Sequence, residues 1–433
     1  MGRRSALRRS TGPLRVALVG TRGVPARYGG FETAVEEVGR RLADRGHDVL
    51  VYCRTTPGHD GPLPAEYLGM RLVHLPAARR RSLETLSHTF LSVGHLIPQR
   101  VDAAVVFNAA NAPMLPVLRA ARIPTATHVD GLEWKRAKWG GAGRRYYRAA
   151  ESLAVRWSDA LIADAQGIAD YYREEFRAGS ELIAYGAPLL DVGADRLGEL
   201  GLEARGYHLV VARFEPENHV HLIVEGYAKS AARLPLVVVG SAPYADAYTA
   251  QVRGLGDDRV RFLGGIFDQE LLDQLYAGSA TYVHGHSVGG TNPSLLRALG
   301  AGAATIAYDV SFNREVLGDA GTYFATPDDV AARITSAETD TVGTRRRGRK
   351  ARERAADYDW DDVADRYEAL LRRLATEGQT RRRLRPSGRR VPGATDPTAP
   401  SVTTPEIDGV VLPLPSRGVA ARAGQFSPAA GQR

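Results

Sequence analysis

The chain holds one cysteine, Cys53, among 433 residues. A single thiol makes neither an intrachain disulfide nor a thiolate zinc site, which fits a reducing compartment and a small buried hydrophobe. No stretch approaches the ~18 consecutive apolar residues of a membrane-crossing helix. The opening MGRRSALRRSTGP is basic but lacks the apolar run of a secretory leader, so no secretion is expected. The dinucleotide fingerprint G-x-G-x-x-G is missing after the first strand, where the spacing is Gly20-x-x-Gly23. The second strand ends in Cys53-Arg54, with no acid for a ribose, which disfavours hydride transfer.

What is present is a globular composition, 44% apolar and 24% charged, on a length suited to two domains plus extras. The net charge of +8 is unevenly spread. Residues 1–13 carry four arginines, 344–354 (TRRRGRKARER) a net +6, and 372–390 a net +7, so the remainder is acidic. An acidic body argues against a nucleic-acid partner, which calls for a basic cleft. Segregated positive charge fits an anionic membrane surface, and equally a solubilising tail.

Two similar series of strands and helices follow one another. LRVALVG (14–20), DVLVYC (48–53), MRLVHL (70–75), AAVVFN (103–108), PTATHV (124–129) and ALIADA (160–165) are mostly continuous apolar runs, as buried parallel strands require. In the helix between the first two, Ala34, Val38 and Leu42 recur at helical spacing, and Gly46 is placed to end it. HLVVARF (208–214), PLVVVG (235–240), RVRFLG (259–264), ATYVHGH (280–286) and ATIAYD (304–309) repeat the pattern. The fold class is therefore α/β, with two Rossmann-like domains facing across a cleft. The expected division is a disordered basic head (1–13), a first domain (14–188), a hinge region (189–206), a second domain (207–356), a crossover helix (357–376) and a disordered basic, Pro-rich tail (377–433). The last helix, roughly Trp360–Ala375, has Asp359 as its N-cap.

Ligands of open α/β sheets bind at the strands' carboxyl ends, and four such ends carry chemistry. After the first strand comes GTRGVPARYGGFET, with Gly20, Gly23, Gly29 and Gly30 leading into a helix whose N-terminus attracts anions. THVDGLEWKRAKW (127–139) gathers His128, Asp130, Glu133, Lys135, Arg136 and two tryptophans, a mixture suited to a polyhydroxylated ligand. VARFEPENH (211–219) places Arg213 at a strand end, where it suits a phosphate. VHGHSVGGTNPSLLRALGAG (283–302) puts Gly289, Gly290 and Thr291 at a second helix start. The Asp-x-Asp pairs at Asp357, Asp359 and Asp361 read as helix capping, and His219/His221 and His284/His286 lack a third ligand, so no metal is expected. The tyrosines Tyr146, Tyr147, Tyr171 and Tyr172 fall on helices and read as packing.

GTRGVPARYGGFET, HVDGLEWKR, VARFEPEN and VGGTNPSLL, in this order, resemble the motifs of retaining GT-B-fold glycosyltransferases of family 4, in the bacterial rhamnosyltransferase-like branch. The resemblance covers about residues 14–375. It implies a nucleotide-sugar donor as co-substrate without other cofactor, a glycan or lipid-linked acceptor, and a last helix that crosses back to the first domain. It also implies hexosyl transfer, of rhamnose in that branch; the expected place is cytoplasmic, and the basic segments offer a peripheral hold on the inner face of the membrane. By carry-over, His128 and Arg213 are catalytic. The donor falls to Gly23, Arg213, Asn218, His286, Gly289, Gly290, Thr291 and Arg297, and the acceptor to Tyr28, Gly29, Gly30, Asp130, Glu133, Trp134 and Arg136. The chain departs from the pattern at three positions. Asn218 stands where the family has lysine, Arg297 where a glutamate grips the ribose, and Ser287 where the branch tends to have an acid. Arginine has no acceptor for those hydroxyls, and a phosphate role for Arg297 is the alternative. Two rivals remain: a non-catalytic GT-B protein that binds the nucleotide sugar, and a sugar-nucleotide epimerase on the same double plan.

Overall fold

Continuous apolar runs become the central strands of two parallel sheets. The computed structural model describes residues 12–26, 29–55, 62–78, 83–129, 131–136, 139–240 and 246–379. The expected disorder of the head and tail therefore lies almost wholly outside the described residues, as do Tyr28 and Asp130. The first sheet contains β1 (Arg15–Val19), β2 (Asp48–Arg54), β3 (Glu66–Tyr67), β4 (Met70–Leu75), β5 (Ala103–Phe107), β6 (Thr125–Val129), β7 (Ala160–Ala163) and β8 (Glu181–Leu182). Their order is β3-β4-β2-β1-β5-β6-β7-β8. Only β3 and β4 pair antiparallel in it. The second sheet contains β9 (His208–Val211), β10 (Leu236–Val239), β11 (Val260–Gly264), β12 (Thr281–His284), β13 (Thr305–Tyr308) and β14 (Gly321–Phe324). It is parallel throughout, in the order β11-β10-β9-β12-β13-β14.

Each sheet reverses its strand order beside its first strand, between β1 and β5 and between β9 and β12. Such a reversal splays the loops on either side apart and opens a crevice at the carboxyl ends. Helices cover both faces of each sheet. The helix Gly30–Asp44 buries Ala34, Val35, Val38 and Leu42, and Gly46 leaves it with a positive φ of 86°. Without a Cβ, that left-handed turn carries no steric penalty.

The chain crosses between the two α/β halves twice. The segment read as a hinge holds a short 3-10 turn, Leu197–Leu200, and buries Leu197 and Leu202. The final helix, Trp360–Glu377, returns to the first half and buries Trp360, Val363, Tyr367, Leu370, Leu371 and Leu374. Asp359 caps it by accepting the Asp361 amide at 2.8 Å. Arg41 pairs with Asp361 at 2.5 Å, Arg45 with Asp365 at 2.7 Å, and Arg373 with Glu181 at 2.7 Å. These exposed pairs add little beside the apolar stripe, where each fully buried large side chain contributes roughly 1.5–3 kcal/mol. The stripe joins a core shared by both halves, containing Val38 and Leu42 on one side and Leu295 and Leu299 on the other. The two crossings run side by side, and the Ala187 amide donates to the Tyr358 carbonyl at 2.7 Å.

Candidate functional site

A cavity of about 480 Å³ lies between the two sheets' carboxyl ends. Loops from both halves wall it: Gly29, Gly30, Glu133 and Arg136 from the first, Arg213, His286, Gly289, Gly290, Thr291 and Arg297 from the second. Four sequence candidates lie elsewhere.

Gly23 packs inward: with φ at +98°, a Cβ there would overlap Cys53. Asn218 is buried, and its side-chain amide donates to the Arg213 carbonyl at 2.9 Å, so it holds the backbone of the arginine rather than facing the cavity. Trp134 stacks under cations, with the Lys135 ammonium 5.5 Å and the Arg148 guanidinium 5.1 Å from its ring centre. His128 is fully buried behind Phe31 and Tyr185, which do line the cavity. Its Nδ1 shares a 2.8 Å hydrogen bond with the Tyr367 hydroxyl, its Nε2 has no partner among the described residues, and burial lowers its pKa to about 3. It is a neutral imidazole one layer beneath the wall.

The glycine loop after β1 is held by acids on the helix that follows. Glu32 accepts the Arg22 amide at 3.1 Å and Glu36 the Ala26 amide at 2.6 Å. Arg213 extends from the end of β9 with its side chain 47% exposed and Glu215 3.5 Å away. Arg136 spans the crevice: it pairs with Glu133 at 2.5 Å in its own half and lies 3.6 Å from Glu215 and 3.7 Å from Glu217 in the other. Burial, then the neighbouring His284, Arg213 and Arg136, hold the His286 imidazole far below its ordinary pKa, so it is neutral. Asn292 caps the helix Pro293–Gly300 by accepting the Ser294 amide at 2.9 Å.

The departures from the motif pattern have local partners. Arg297 pairs with Asp273, which also accepts the Gln269 side-chain amide at 2.9 Å. The arginine thus brings an acid with it, from the neighbouring helix Gln269–Gly278. Ser287 donates its hydroxyl to the Glu217 carbonyl at 3.0 Å.

Sequence reasoning missed Asp164. It follows β7, lines the cavity and is 4% exposed. Its backbone carbonyl accepts the Thr291 hydroxyl across the crevice, and its Oδ1 has no hydrogen-bond partner among the described residues. Burial raises its pKa to about 7. A carboxyl at that value can accept or donate a hydrogen bond to a ligand hydroxyl near neutrality. The signal available in the sequence was an acid closing the apolar run ALIADA. Among the described residues, no group of three or more His, Cys, Asp or Glu side chains converges as metal ligands do.

Two family models match the chain in tandem, "Glycosyl transferase 4-like domain" over residues 29–186 and "Glycosyl transferases group 1" over 199–355. The O-antigen chain mannosyltransferase B of Escherichia coli is 30% identical over 134 residues, 30% of this chain and 35% of that protein, so the chain spans about a third of that relative's length. The phosphatidyl-myo-inositol mannosyltransferase of Mycolicibacterium smegmatis is 26% identical over 370 residues, 78% of this chain and 88% of that one. The structure of sucrose-phosphate synthase from Thermosynechococcus elongatus superposes with a TM-score of 0.73 at 21% identity, over 84% of this chain and 100% of that one. HepE of Anabaena in complex with UDP superposes at 0.65 with 16% identity, over 83% and 99%. These likenesses establish the double-Rossmann GT-B fold.

Proposed function

We propose that this chain, which belongs by its two matched domains to the GT4-type glycosyltransferases, moves a hexosyl group from a nucleotide sugar to a glycan or lipid-linked acceptor of cell-surface polysaccharide. The observation that carries this reading is the half-exposed Arg213 at a cavity whose opposite walls are glycine loops from different halves. A guanidinium and backbone amides suit the charge that develops on a leaving diphosphate. Arg213 and the amides of Gly289, Gly290 and Thr291 hold that charge. The diphosphate deprotonates the acceptor on the retained face, without a metal or cofactor. Gly29, Gly30, Glu133 and Arg136 serve the acceptor side. Asp164 holds a sugar hydroxyl, and His128 acts as a positioning residue behind Phe31.

The sugar has two candidates. The motif resemblance favours rhamnosyl, while the two relatives are named as mannosyltransferases. Thermal shift across dTDP-, GDP- and UDP-sugars separates them, since a ligand at ~100 times its Kd adds about 2.7 kcal/mol of stability. The reading fails if no nucleotide sugar stabilises the chain, or if Arg213→Ala leaves the stabilisation intact.

The acceptor's chemistry and the segregated basic segments support a peripheral position at the cytoplasmic face of a membrane. No described helix is long and apolar enough to cross one. Pelleting with anionic vesicles tests this: retention should weaken with added salt and on deletion of residues 376–433.

A second reading, binding without transfer, is favoured by the engagement of Asn218, Ser287 and Arg297 in contacts within the protein. Tight donor binding with no turnover on acceptors that related enzymes accept would select it.

A further inference from the structure

On the far side of the second half lies a cavity of about 360 Å³ lined by Arg205, Arg345, Arg349 and Arg352, with Gly302 and Gly348 as its floor. It is remote from the crevice by topology. Arg205 precedes β9 and Gly302 precedes β13, so the cavity sits at the amino ends of two strands of a parallel sheet, and the carboxyl end of β9 meets the crevice. The helix Thr341–Ala355 supplies three of the arginines, at i, i+4 and i+7, which places them on one face.

The pairing along that helix divides by face. Arg347 lies 4.0 Å from Asp340, Lys350 pairs with Asp319 at 2.6 Å, and Arg354 pairs with Asp357 at 2.7 Å. Arg345 and Arg349 have no acid among the described residues. Arg352 gives its guanidinium to the Gly300 carbonyl at 2.9 Å and the Leu190 carbonyl at 2.5 Å, and Arg205 gives its own to the Ser279 carbonyl at 2.9 Å. Among the described residues, neither of these is neutralised by a carboxylate. Like charges one turn apart destabilise a helix, and four guanidiniums around one concavity repel further. Desolvation, then the charge of Arg345, pulls the Arg205 pKa down. The close floor follows from glycine: a Cβ on Gly348 would run into the Gly302 carbonyl, so small residues keep the concavity open to the chain's backbone.

We propose that this four-arginine cavity is a second anion site, which takes a phosphate or diphosphate group through the unpaired guanidiniums of Arg345 and Arg349. Two arginines lining one cavity, neither with an acid among the described residues, suit the several oxygens of a phosphate better than a single carboxylate. The phosphate can belong to a free phosphorylated molecule or to a lipid headgroup. The site stands whether or not the cleft transfers sugar, because it shares no residue with the cleft.

The test is calorimetric titration of inorganic pyrophosphate into the full chain, Arg213→Ala, and the double variant Arg345→Ala/Arg349→Ala. The double variant is expected to weaken one class of pyrophosphate site at least tenfold, whereas Arg213→Ala leaves that class unchanged. Arg345→Lys/Arg349→Lys, which keeps charge but loses the forks, should fall between, and its unchanged thermal unfolding guards against a folding artefact. A parallel arm pellets each protein with vesicles of phosphatidylglycerol and phosphatidylcholine, against phosphatidylcholine alone. Loss of pyrophosphate binding together with vesicle retention assigns a lipid headgroup; loss of pyrophosphate binding alone assigns a free phosphate. If the double variant titrates as the parent does, or Arg213→Ala abolishes all pyrophosphate binding, the site does not exist.

Discussion

Two glycine loops, one after β1 and one after β12, carry glycines of different use. After β1, Gly20 and Gly23 hold φ values of +102° and +98°, and their missing side chains make room for the protein itself. A Cβ on Gly20 would stand 2.5 Å from the Phe107 carbonyl, and one on Gly23 would overlap Cys53. After β12, Gly289 also has a positive φ, +139°, but nothing lies within 4 Å of the place its Cβ would take. Gly289 lines the cavity with space on its Cβ side, while its backbone closely meets Gly131 and its neighbour Gly290 closely meets Asp164. The first pair closes a core, and Gly289 leaves open space at the cavity wall.

That contrast can be broken by experiment. Arg213→Ala, beside the open loop, should lower kcat/KM by about 10²–10³-fold with little change in Tm, as expected for losing one group that stabilises transition-state charge. Gly23→Ala should do the reverse, costing about 3 kcal/mol of stability through overpacking and backbone strain. Gly289→Ala should cost about 1 kcal/mol of stability from strain alone, and weaken the donor more than Gly23→Ala does. A larger Tm loss at Gly289 than at Gly23 would reverse the assignment of causes.

Asp164 sharpens the comparison because it touches the second loop from the first half. Its folded pKa, about 7, lies above the ordinary value of 3.8. Between those values the native state keeps a proton that the unfolded chain has released, so stability declines as pH rises from about 4 to about 7. Asp164→Asn should remove that decline, gaining on the order of 4 kcal/mol over the parent at pH 8 and nothing near pH 4, while donor affinity falls. Urea unfolding across pH checks it, and a parent–variant gap independent of pH would refute the assignment. The smallest expected effect is Tyr367→Phe, which takes the hydroxyl from His128 and should cost about 1 kcal/mol in urea unfolding.

The parallel sheets were legible because a strand buried on both faces is written as an unbroken apolar run, as in β1, β5 and β10. β3 and β8, two residues each, and β14, whose sequence is GTYF, carry too little pattern to stand out. At the site, residue types with a single strong chemistry, such as Arg213 at a strand end, were readable as cavity residues. Residues whose direction depends on a neighbour were not. Asn218 turns back to the carbonyl of Arg213, and His128 turns into an aromatic layer completed by Tyr367, a residue 239 positions later. The pairing of Arg136 with Glu215 and Glu217 joins different halves, and no local pattern announces it.

The side-by-side crossings at Ala187 and Tyr358 also reach the site. The two crossings form one joint between the halves, tied by the amide-to-carbonyl bond of those two residues. Tyr185, Gly186, Pro188 and Trp360 belong to that joint and also line the cavity. A molecule that fills the cavity therefore meets the joint as well as the loops of both halves.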